Sequence, residues 1–288
     1  MEPDEQLEWE RRAGRPAGIA TLIAGGALLV GVVLSARAAG DDAFETYLNI
    51  HDDPSLILLP NIVQAIGYLL TAYGLWYLVR ATTPRRTELA TPSKIMVILG
   101  PVATAIALVL TALAVLDVAQ AAADVVRPPR AEKARDDVLE DLQKDSSLIT
   151  AATIVTYVSR LAFGFALVLA ALNGMRAGLL SRFLGILGII GGVLSVLFGG
   201  AGVILAFWLV ALGIVFMDRW PNGRGPAWDA VEAIPWPSAA DQRAALEEEY
   251  ADEGEIEEED EDVEQEEEAE PAAQPHPVSK KRKRKRRG

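Results

Sequence analysis

Long apolar runs alternate with short charged segments over most of the chain. A helix needs about twenty apolar residues to cross the hydrocarbon core of a bilayer. Four runs reach that length, and a fifth apolar block is too long for one straight span. The four runs are residues 17–36, 56–79, 95–116 and 148–175, and the longer block is 183–217. This pattern predicts an all-α, polytopic helical membrane bundle.

The fifth apolar block is interrupted near its centre, where residues 199–202 read Gly-Gly-Ala-Gly. Glycine is unfavourable inside a helix, so the block is predicted to form two short helices, 183–198 and 203–217, joined by a tight turn. The prediction is then about six transmembrane helices. A re-entrant hairpin is the alternative, because each half is short for a complete span.

Basic residues recur in every second connection between the apolar runs, whereas acids outnumber them in the others. They are Arg11, Arg12, Arg15, Arg80, Arg85, Arg86, Lys94, Arg176, Arg182, Arg219 and Arg224. Since Lys and Arg in short loops stay on the cytoplasmic side, both chain ends are predicted to be cytoplasmic. Residues 1–16 then form a cytoplasmic segment. The alternative for the first run is a cleaved signal sequence, although its apolar core is longer than usual.

Small residues on the fifth predicted helix indicate close helix packing. Gly188 and Gly192 stand four residues apart, a spacing that lets two helix backbones approach. The partner is either another helix of the same chain or a second copy. Homo-oligomerisation through this helix is therefore one of the interpretations.

The connection before the fourth apolar run also contains a predicted element. Residues 130–144 favour a short surface helix, in which Glu140 and Lys144 have the favourable i,i+4 spacing. His51, Asp52 and Asp53 are predicted to face the same compartment. They suggest either solvated acids or a divalent-cation site shared with this helix.

Arg160 lies within the fourth apolar run, where a charge costs about 2.5–3.5 kcal/mol on insertion scales. Asn61 and Gln64 of the second run and Asp117 at the end of the third are predicted to lie in the same outer half of the membrane. Asp117 is thus the expected ionic partner of Arg160. The cluster is interpreted as a satisfied structural contact, a lipid-headgroup contact, or an outward-facing site for a small anionic solute.

Enzyme chemistry is not expected. The chain has no cysteine, and its only histidines, His51 and His276, lie outside the apolar runs. Asp117 is the only carboxylate within or directly beside the four long apolar runs. Serine–histidine, two-aspartate and metalloprotease sites therefore lack parts, and no catalytic residue, cofactor or metal ligand is predicted.

Residues 218–246 form a juxtamembrane segment rich in tryptophan and proline, followed by a predicted short helix from Ser238. Trp220, Trp228 and Trp236 are predicted to anchor the segment at the level of the lipid headgroups. A docking site for a proline-binding protein is the alternative.

Residues 247–288 are predicted to be a disordered tail, acidic at first and basic at its end. The net charge of −13 comes mostly from residues 247–270. The basic cluster comprises Lys280, Lys281, Arg282, Lys283, Arg284, Lys285, Arg286 and Arg287. Its expected partners are anionic headgroups, the acids upstream, or a cytoplasmic protein. Nucleic acid or a ribosome would be bound through phosphates, in competition with those acids.

The residues Asn173-Gly-Met-Arg, the glycine-rich run that follows, and the segment from Arg219-Trp-Pro to Pro237 resemble uncharacterised multi-pass integral membrane proteins of high-GC bacteria. The resemblance covers mainly residues 172–237 and the basic C-terminus. It implies a plasma-membrane location and no particular activity.

Together these features predict a membrane protein of structural or interaction type. Its charged cytoplasmic tail is expected to make electrostatic contacts with lipid or protein partners. The alternative function is a small-solute transporter or channel that uses the polar cluster around Arg160.

Overall fold

A computed structural model describes residues 2–86, 91–125, 132–198, 202–221, 223–236 and 243, in which every regular element is helical. The predicted all-α fold is confirmed. The α-helices are α1 Pro3–Ser35, α2 Ala43–Asp52, α3 Ser55–Arg85, α4 Thr91–Ala123, α5 Glu132–Asp145, α6 Ser147–Arg176, α7 Arg182–Phe198 and α8 Gly202–Phe216. The predicted turn at 199–201, the helix expected from Ser238 and the predicted tail contacts, Lys280 to Arg287, lie outside the described residues.

Four of these helices, α1, α3, α4 and α6, are long and apolar enough to cross a membrane, and α7 and α8 are shorter apolar helices. Their outward faces carry large apolar side chains: Val33 is 69% exposed, Ile106 58% and Phe165 58%. Water would disfavour so much exposed apolar surface, whereas lipid covers it without cost. The fold is that of a membrane protein.

The apolar helices pack mostly on their neighbours in the chain. α1 contacts α3, α3 contacts α4, α4 contacts α6, and α6 contacts α7. α1 also packs along α8, which brings the first and last helices together. In α8, Trp208, Leu209 and Leu212 are completely buried. The Trp208 indole donates a 2.8 Å hydrogen bond to the Leu184 carbonyl, which satisfies its one polar atom.

Reciprocal glycine contacts bring two pairs of helices together. A Cβ on Gly18 of α1 would lie 2.7 Å from the Gly213 carbonyl oxygen of α8, and a Cβ on Gly213 would lie 2.8 Å from the Gly18 oxygen. Gly164 of α6 and Gly192 of α7 show the same reciprocal approach, at 2.7 and 2.8 Å. Both pairs of backbones are thus in direct contact, which no larger residue permits.

The glycine face predicted on α7 is occupied within the same chain. Gly192 faces Gly164, and a Cβ on Gly188 would meet the Ala171 side chain of α6 and the Trp208 ring of α8. In this chain the partners of that face are therefore internal helices. Homo-oligomerisation remains a prediction.

The two helices that are not apolar, α2 and α5, pack over the ends of α4 and α6. Phe44 of α2, Val118 of α4 and Leu139 of α5 are buried in one apolar cluster. The predicted helix at α5 is confirmed, and Lys144 lies 2.6 Å from Glu140.

Polar contacts hold α2 against α5. Asp42 caps the start of α2 by accepting a 2.7 Å hydrogen bond from the Glu45 amide, and it forms a 2.6 Å ion pair with Arg135. Gln143 donates to the Tyr47 hydroxyl at 3.2 Å. Burial raises the pKa of Tyr47, and the bond from Gln143 lowers it only in part.

Replacing Gly192 by alanine is expected to destabilise the bundle by about 1–3 kcal/mol, because the added methyl group overpacks the contact with the Gly164 backbone. Gly191 is the matched control, since a Cβ there would meet nothing within 4 Å. Gly191→Ala should be neutral or stabilising by up to about 1 kcal/mol through helix propensity. Unfolding in detergent measures both changes. Equal effects of the two substitutions would contradict the close packing of α6 and α7.

Candidate functional site

The N-terminal part of α1 brings a carboxylate into the protein interior. The helix begins at Pro3, well before the predicted span at residue 17. Its buried face starts with Gln6 and Glu10 and continues through Gly14, at four-residue spacing. The polar beginning of α1 is therefore packed like the apolar part that follows it.

Glu10 forms a buried ion pair with Arg85, the last residue of α3. The side chain of Arg85 is 0% exposed and that of Glu10 is 2% exposed. Arg85 Nη1 donates to Glu10 Oε1 at 2.6 Å and Nη2 donates to Oε2 at 2.9 Å, so the contact is bidentate. Gln6 donates a further 2.8 Å hydrogen bond to Glu10 Oε1. Charges buried this deeply are stable only when paired in this way.

The remaining donors of Arg85 reach backbone oxygens. Nη1 donates to the Ala81 carbonyl at 2.6 Å, one turn earlier in α3. Nε donates at 2.9 Å to the Ala227 carbonyl. Ala227 belongs to the segment after α8, which we name the collar (residues 218–236, of which all but 222 are described). One arginine thus joins α1, α3 and the collar.

The collar also packs against the turn between α6 and α7. Gly178 ends α6 in the left-handed region, with φ of +80°. The Leu179 amide donates to the Gly174 carbonyl at 2.9 Å, which closes the helix end. A Cβ on Gly178 would overlap the Ile234 carbonyl of the collar. Only glycine fits this position, both for its backbone conformation and for the space available.

Trp228 of the collar is a core residue, 2% exposed. Its indole donates to the Leu179 carbonyl at 2.9 Å, and its ring stacks on Tyr77 with centroids 6.0 Å apart. The Tyr77 hydroxyl in turn donates to the Glu10 carbonyl at 2.9 Å. The interfacial anchoring predicted for Trp228 is therefore corrected: its polar atom has a backbone partner in the interior and does not need the headgroups.

The other two predicted anchors are half-buried in the collar. Trp220 packs against the main apolar core. Trp236 lies against Gly225, and its indole nitrogen is buried without a hydrogen-bond partner in the part of the chain that the structure describes. Both rings have protein neighbours.

The predicted polar cluster in the membrane is not assembled as expected. Asp117 accepts a 2.8 Å hydrogen bond from Ser146, which caps the start of α6. Arg160 lies fourteen residues after Ser146, which corresponds to about 21 Å along α6. The expected pairing of Asp117 with Arg160 is therefore corrected. The Arg160 guanidinium lies over the Tyr157 ring, 5.7 Å from its centroid.

The second-run members of that cluster face other neighbours. Asn61 is 7% exposed and donates to the Ile57 carbonyl of its own helix at 2.7 Å. Gln64 is half-buried against Gly31 of α1. Arg160 itself borders a cavity of about 200 Å³, also lined by Thr111 and Thr153. Neither Asn61 nor Gln64 contributes to this cavity.

No group of three or more His, Asp or Glu side chains that could hold a metal ion occurs among the described residues. Each side-chain nitrogen and oxygen of the Glu10–Arg85 pair has a hydrogen-bond partner in the protein, and both side chains are buried. Its chemistry is positional: it fixes one end of the bundle and the collar to each other.

Sequence reasoning missed the Glu10–Arg85 pair because it assigned Glu10 to a cytoplasmic N-terminal segment and Arg85 to a basic connection between apolar runs. One signal was available in α1, where Gln6 and Glu10 continue the four-residue spacing of Gly14, Gly18 and Leu22 toward the N-terminus. No comparable signal marks Arg85, which stands in a Pro-Arg-Arg sequence that is typical of a membrane-flanking loop.

The fold and the packing of its apolar helices define an all-α membrane protein. The chain belongs to the DUF4386 family, described as a domain of unknown function, which matches residues 17–217. No curated protein and no solved structure matches the chain. The family match begins within α1, after Glu10, and ends at residue 217, before the collar.

Glu10→Gln is expected to destabilise the protein by about 3–5 kcal/mol, because it leaves the buried Arg85 guanidinium without a counter-charge. Glu8→Gln is the matched control on the same helix, since Glu8 is 63% exposed and its contact with Arg12 is 3.5 Å long. The control should change stability by less than about 1 kcal/mol. Detergent-solubilised protein unfolded by denaturant gives both values.

The double variant Glu10→Met with Arg85→Met separates the effect of charge from that of shape. Removing both charges leaves no unpaired ion, so most of the stability lost in Glu10→Gln should return. A double variant as unstable as the single one would indicate that packing, and not the ion pair, holds this end of the bundle.

Proposed function

We propose that the protein is a multi-pass protein of the plasma membrane with a structural or interaction role. In this proposal the bundle holds the collar at the cytoplasmic face, and the charged residues that follow the collar contact anionic lipid or a protein partner. The observation that carries the proposal is the bond from Arg85 to the Ala227 carbonyl, which fastens the collar to the bundle.

The distribution of basic residues supports the proposed sidedness. Contacts bring together the basic residues of the N-terminus, the end of α3 and the collar: Arg80 lies 4.2 Å from the Trp9 ring centroid, and Arg224 lies 5.4 Å from that of Trp228. The opposite end carries α2 and the acid-rich helix α5. Basic residues mark the cytoplasmic side, so both chain ends are placed there in this proposal.

The packing of α8 on α1 supports a complete crossing by this short helix. Along α1, a Cβ on Gly14 would contact Phe216, one on Gly25 would contact Ala206, and Val32 would contact a Cβ on Gly202. α8 therefore runs antiparallel to α1 along its whole length of about 22 Å, and the contacts reach from Gly14 to Val32, about 27 Å apart along α1. Six crossings fit this arrangement better than a re-entrant hairpin.

Transport of a small solute is the second candidate function. The cavity of about 200 Å³ beside Arg160 supports it. Sites for small molecules usually measure about 300–1,000 Å³, and the other predicted members of the cluster do not line this cavity. The interaction role is therefore preferred.

The absence of cysteine permits a direct test of sidedness with single-cysteine variants. Asp52→Cys, at the end of α2, and Glu232→Cys, in the collar, are both exposed positions. In intact cells a membrane-impermeant maleimide should label Asp52→Cys and should reach Glu232→Cys only after lysis. Labelling of Glu232→Cys in intact cells would reverse the assigned orientation.

The role of the tail is tested by replacing the basic residues 280–287 with glutamine in the full chain. A photoactivated crosslinker attached through Ser279→Cys should yield lipid or protein adducts in cells, and the neutral variant should lose them, because the attraction is electrostatic. Arg160→Leu, with the same crosslinker, is the control and should keep the adducts. Equal adduct yields with the basic and neutral tails would exclude the proposed contact.

A further inference from the structure

A cleft at the collar end of the bundle is lined by an unusual number of arginines. Its volume is about 670 Å³, and the charged residues that line it are Arg11, Arg12, Arg15, Asp218, Arg219 and Arg224. Five positive charges face one negative charge, a formal surplus of four. The charged lining residues come from α1 and from the collar, so this concentration of charge exists only because the two lie close together.

Most of this charge has no counter-charge among the residues that the structure describes. Asp218 lies 3.2 Å from Arg224, and Arg12 has only a 3.5 Å contact with exposed Glu8. Arg11, Arg15 and Arg219 form no ion pair within the described parts of the chain. Like charges held this close repel one another, and an anionic ligand would relieve the repulsion.

The backbone turn at Asp218 fixes the positions of Asp218 and Arg219 in the cleft. Asp218 has φ of +58° and occupies the left-handed position at the end of α8 that glycine usually takes. Its amide donates to the Val215 carbonyl, and the Arg219 amide donates to the Ile214 carbonyl, each at 3.0 Å. This tight turn projects Arg219 directly after the helix, and the Asp218 carboxylate orients Arg224.

The cleft is continuous with the surface that faces lipid. Its floor contains the apolar residues Phe216 and Met217. Arg15 is followed at four-residue spacing by Ile19 and Ile23, each 53% exposed. A phosphate held by the arginines would thus have an apolar surface beside it on the same face of α1. This combination fits a lipid better than a soluble anion.

We propose that this arginine cleft binds the headgroup of an anionic phospholipid, with preference for a headgroup that carries two phosphates. A surplus of four positive charges matches two phosphates better than one, and arginine binds phosphate oxygens with paired hydrogen bonds. The acyl chains of the lipid lie along Ile19 and Ile23. The inference uses none of the basic residues 280–287 and depends only on the membrane location.

The test uses the full chain, purified in detergent and freed of lipid, with native mass spectrometry to count bound lipids. The probes are diphosphatidylglycerol, phosphatidylglycerol and phosphatidylcholine, with inorganic pyrophosphate as the soluble source of two phosphates. Diphosphatidylglycerol should bind most tightly and phosphatidylcholine least. Pyrophosphate that binds as tightly as diphosphatidylglycerol would overturn the assignment to lipid, and equal binding of all three lipids would overturn the site.

Matched variants locate the binding. Arg11→Gln, Arg15→Gln and Arg219→Gln together should weaken diphosphatidylglycerol binding by about a hundredfold, from about fivefold for each basic residue. The control combines Lys94→Gln, Arg176→Gln and Arg182→Gln, three exposed positions outside the cleft with the same loss of charge. It should weaken binding by less than about fivefold. Equal losses in the two triple variants would reduce the effect to diffuse charge and overturn the inference.

In contrast to the arginine variants, Asp218→Asn is expected to strengthen lipid binding and to leave the fold unchanged. Asparagine tolerates the left-handed backbone, and the substitution removes the one carboxylate that lines the cleft among the described residues. Lipid binding should strengthen by about fivefold, and unchanged or weaker binding would contradict the proposal. All of these measurements are made in detergent, so a failed sidedness or tail experiment leaves them unaffected.

Discussion

The pairing of Glu10 with Arg85 is the constraint on which one end of the molecule depends. A buried carboxylate or guanidinium is unstable alone, so each residue must find the other although 75 positions separate them. Because the pair is bidentate, it fixes the start of α1 against the end of α3 in one geometry. The remaining Nε donor of Arg85 then determines where the chain after α8 can lie. The arginine cleft follows, since its charged lining consists of residues 11–15 of α1 and residues of the collar.

The interior of the bundle is stabilised by a different kind of interaction. Lipid is as apolar as the side chains, so burial from water does not select between helix pairs within the membrane. The helix pairs are selected instead by direct backbone contact, at Gly18 with Gly213 and at Gly164 with Gly192. At the far end α2 and α5 add an apolar cluster around Phe44 that resembles the core of a water-soluble protein. An ion pair thus stabilises one end of the bundle, close backbone contacts stabilise its interior, and apolar burial stabilises the other end.

The candidate sites show where reasoning from sequence ends. Arg160 is conspicuous in the sequence because it interrupts an apolar run. Asp117 was predicted to be its partner only because both residues were expected at a similar depth in the membrane. In the structure Asp117 instead accepts a hydrogen bond from the Ser146 hydroxyl. Ser146 lies there because it caps the start of α6, where its hydroxyl accepts a hydrogen bond from the free amide of Ile149. Glu10 and Arg85 were not predicted to pair, since each lies in a charged segment that is typical of solvent-exposed chain. A partner distant in the chain leaves no trace in local composition.

The sequence by itself determined the helical class, the apolar lengths suited to a bilayer and the helix at α5. These follow from spacing and propensity within one segment, which act over a few residues. Only the tertiary structure decided that Trp228 is a core residue, that the glycines of α7 face α6, and that arginines from both ends of the helical region line one cleft. Each of these depends on which surfaces meet, and that is settled by packing and charge pairing between segments far apart in the chain.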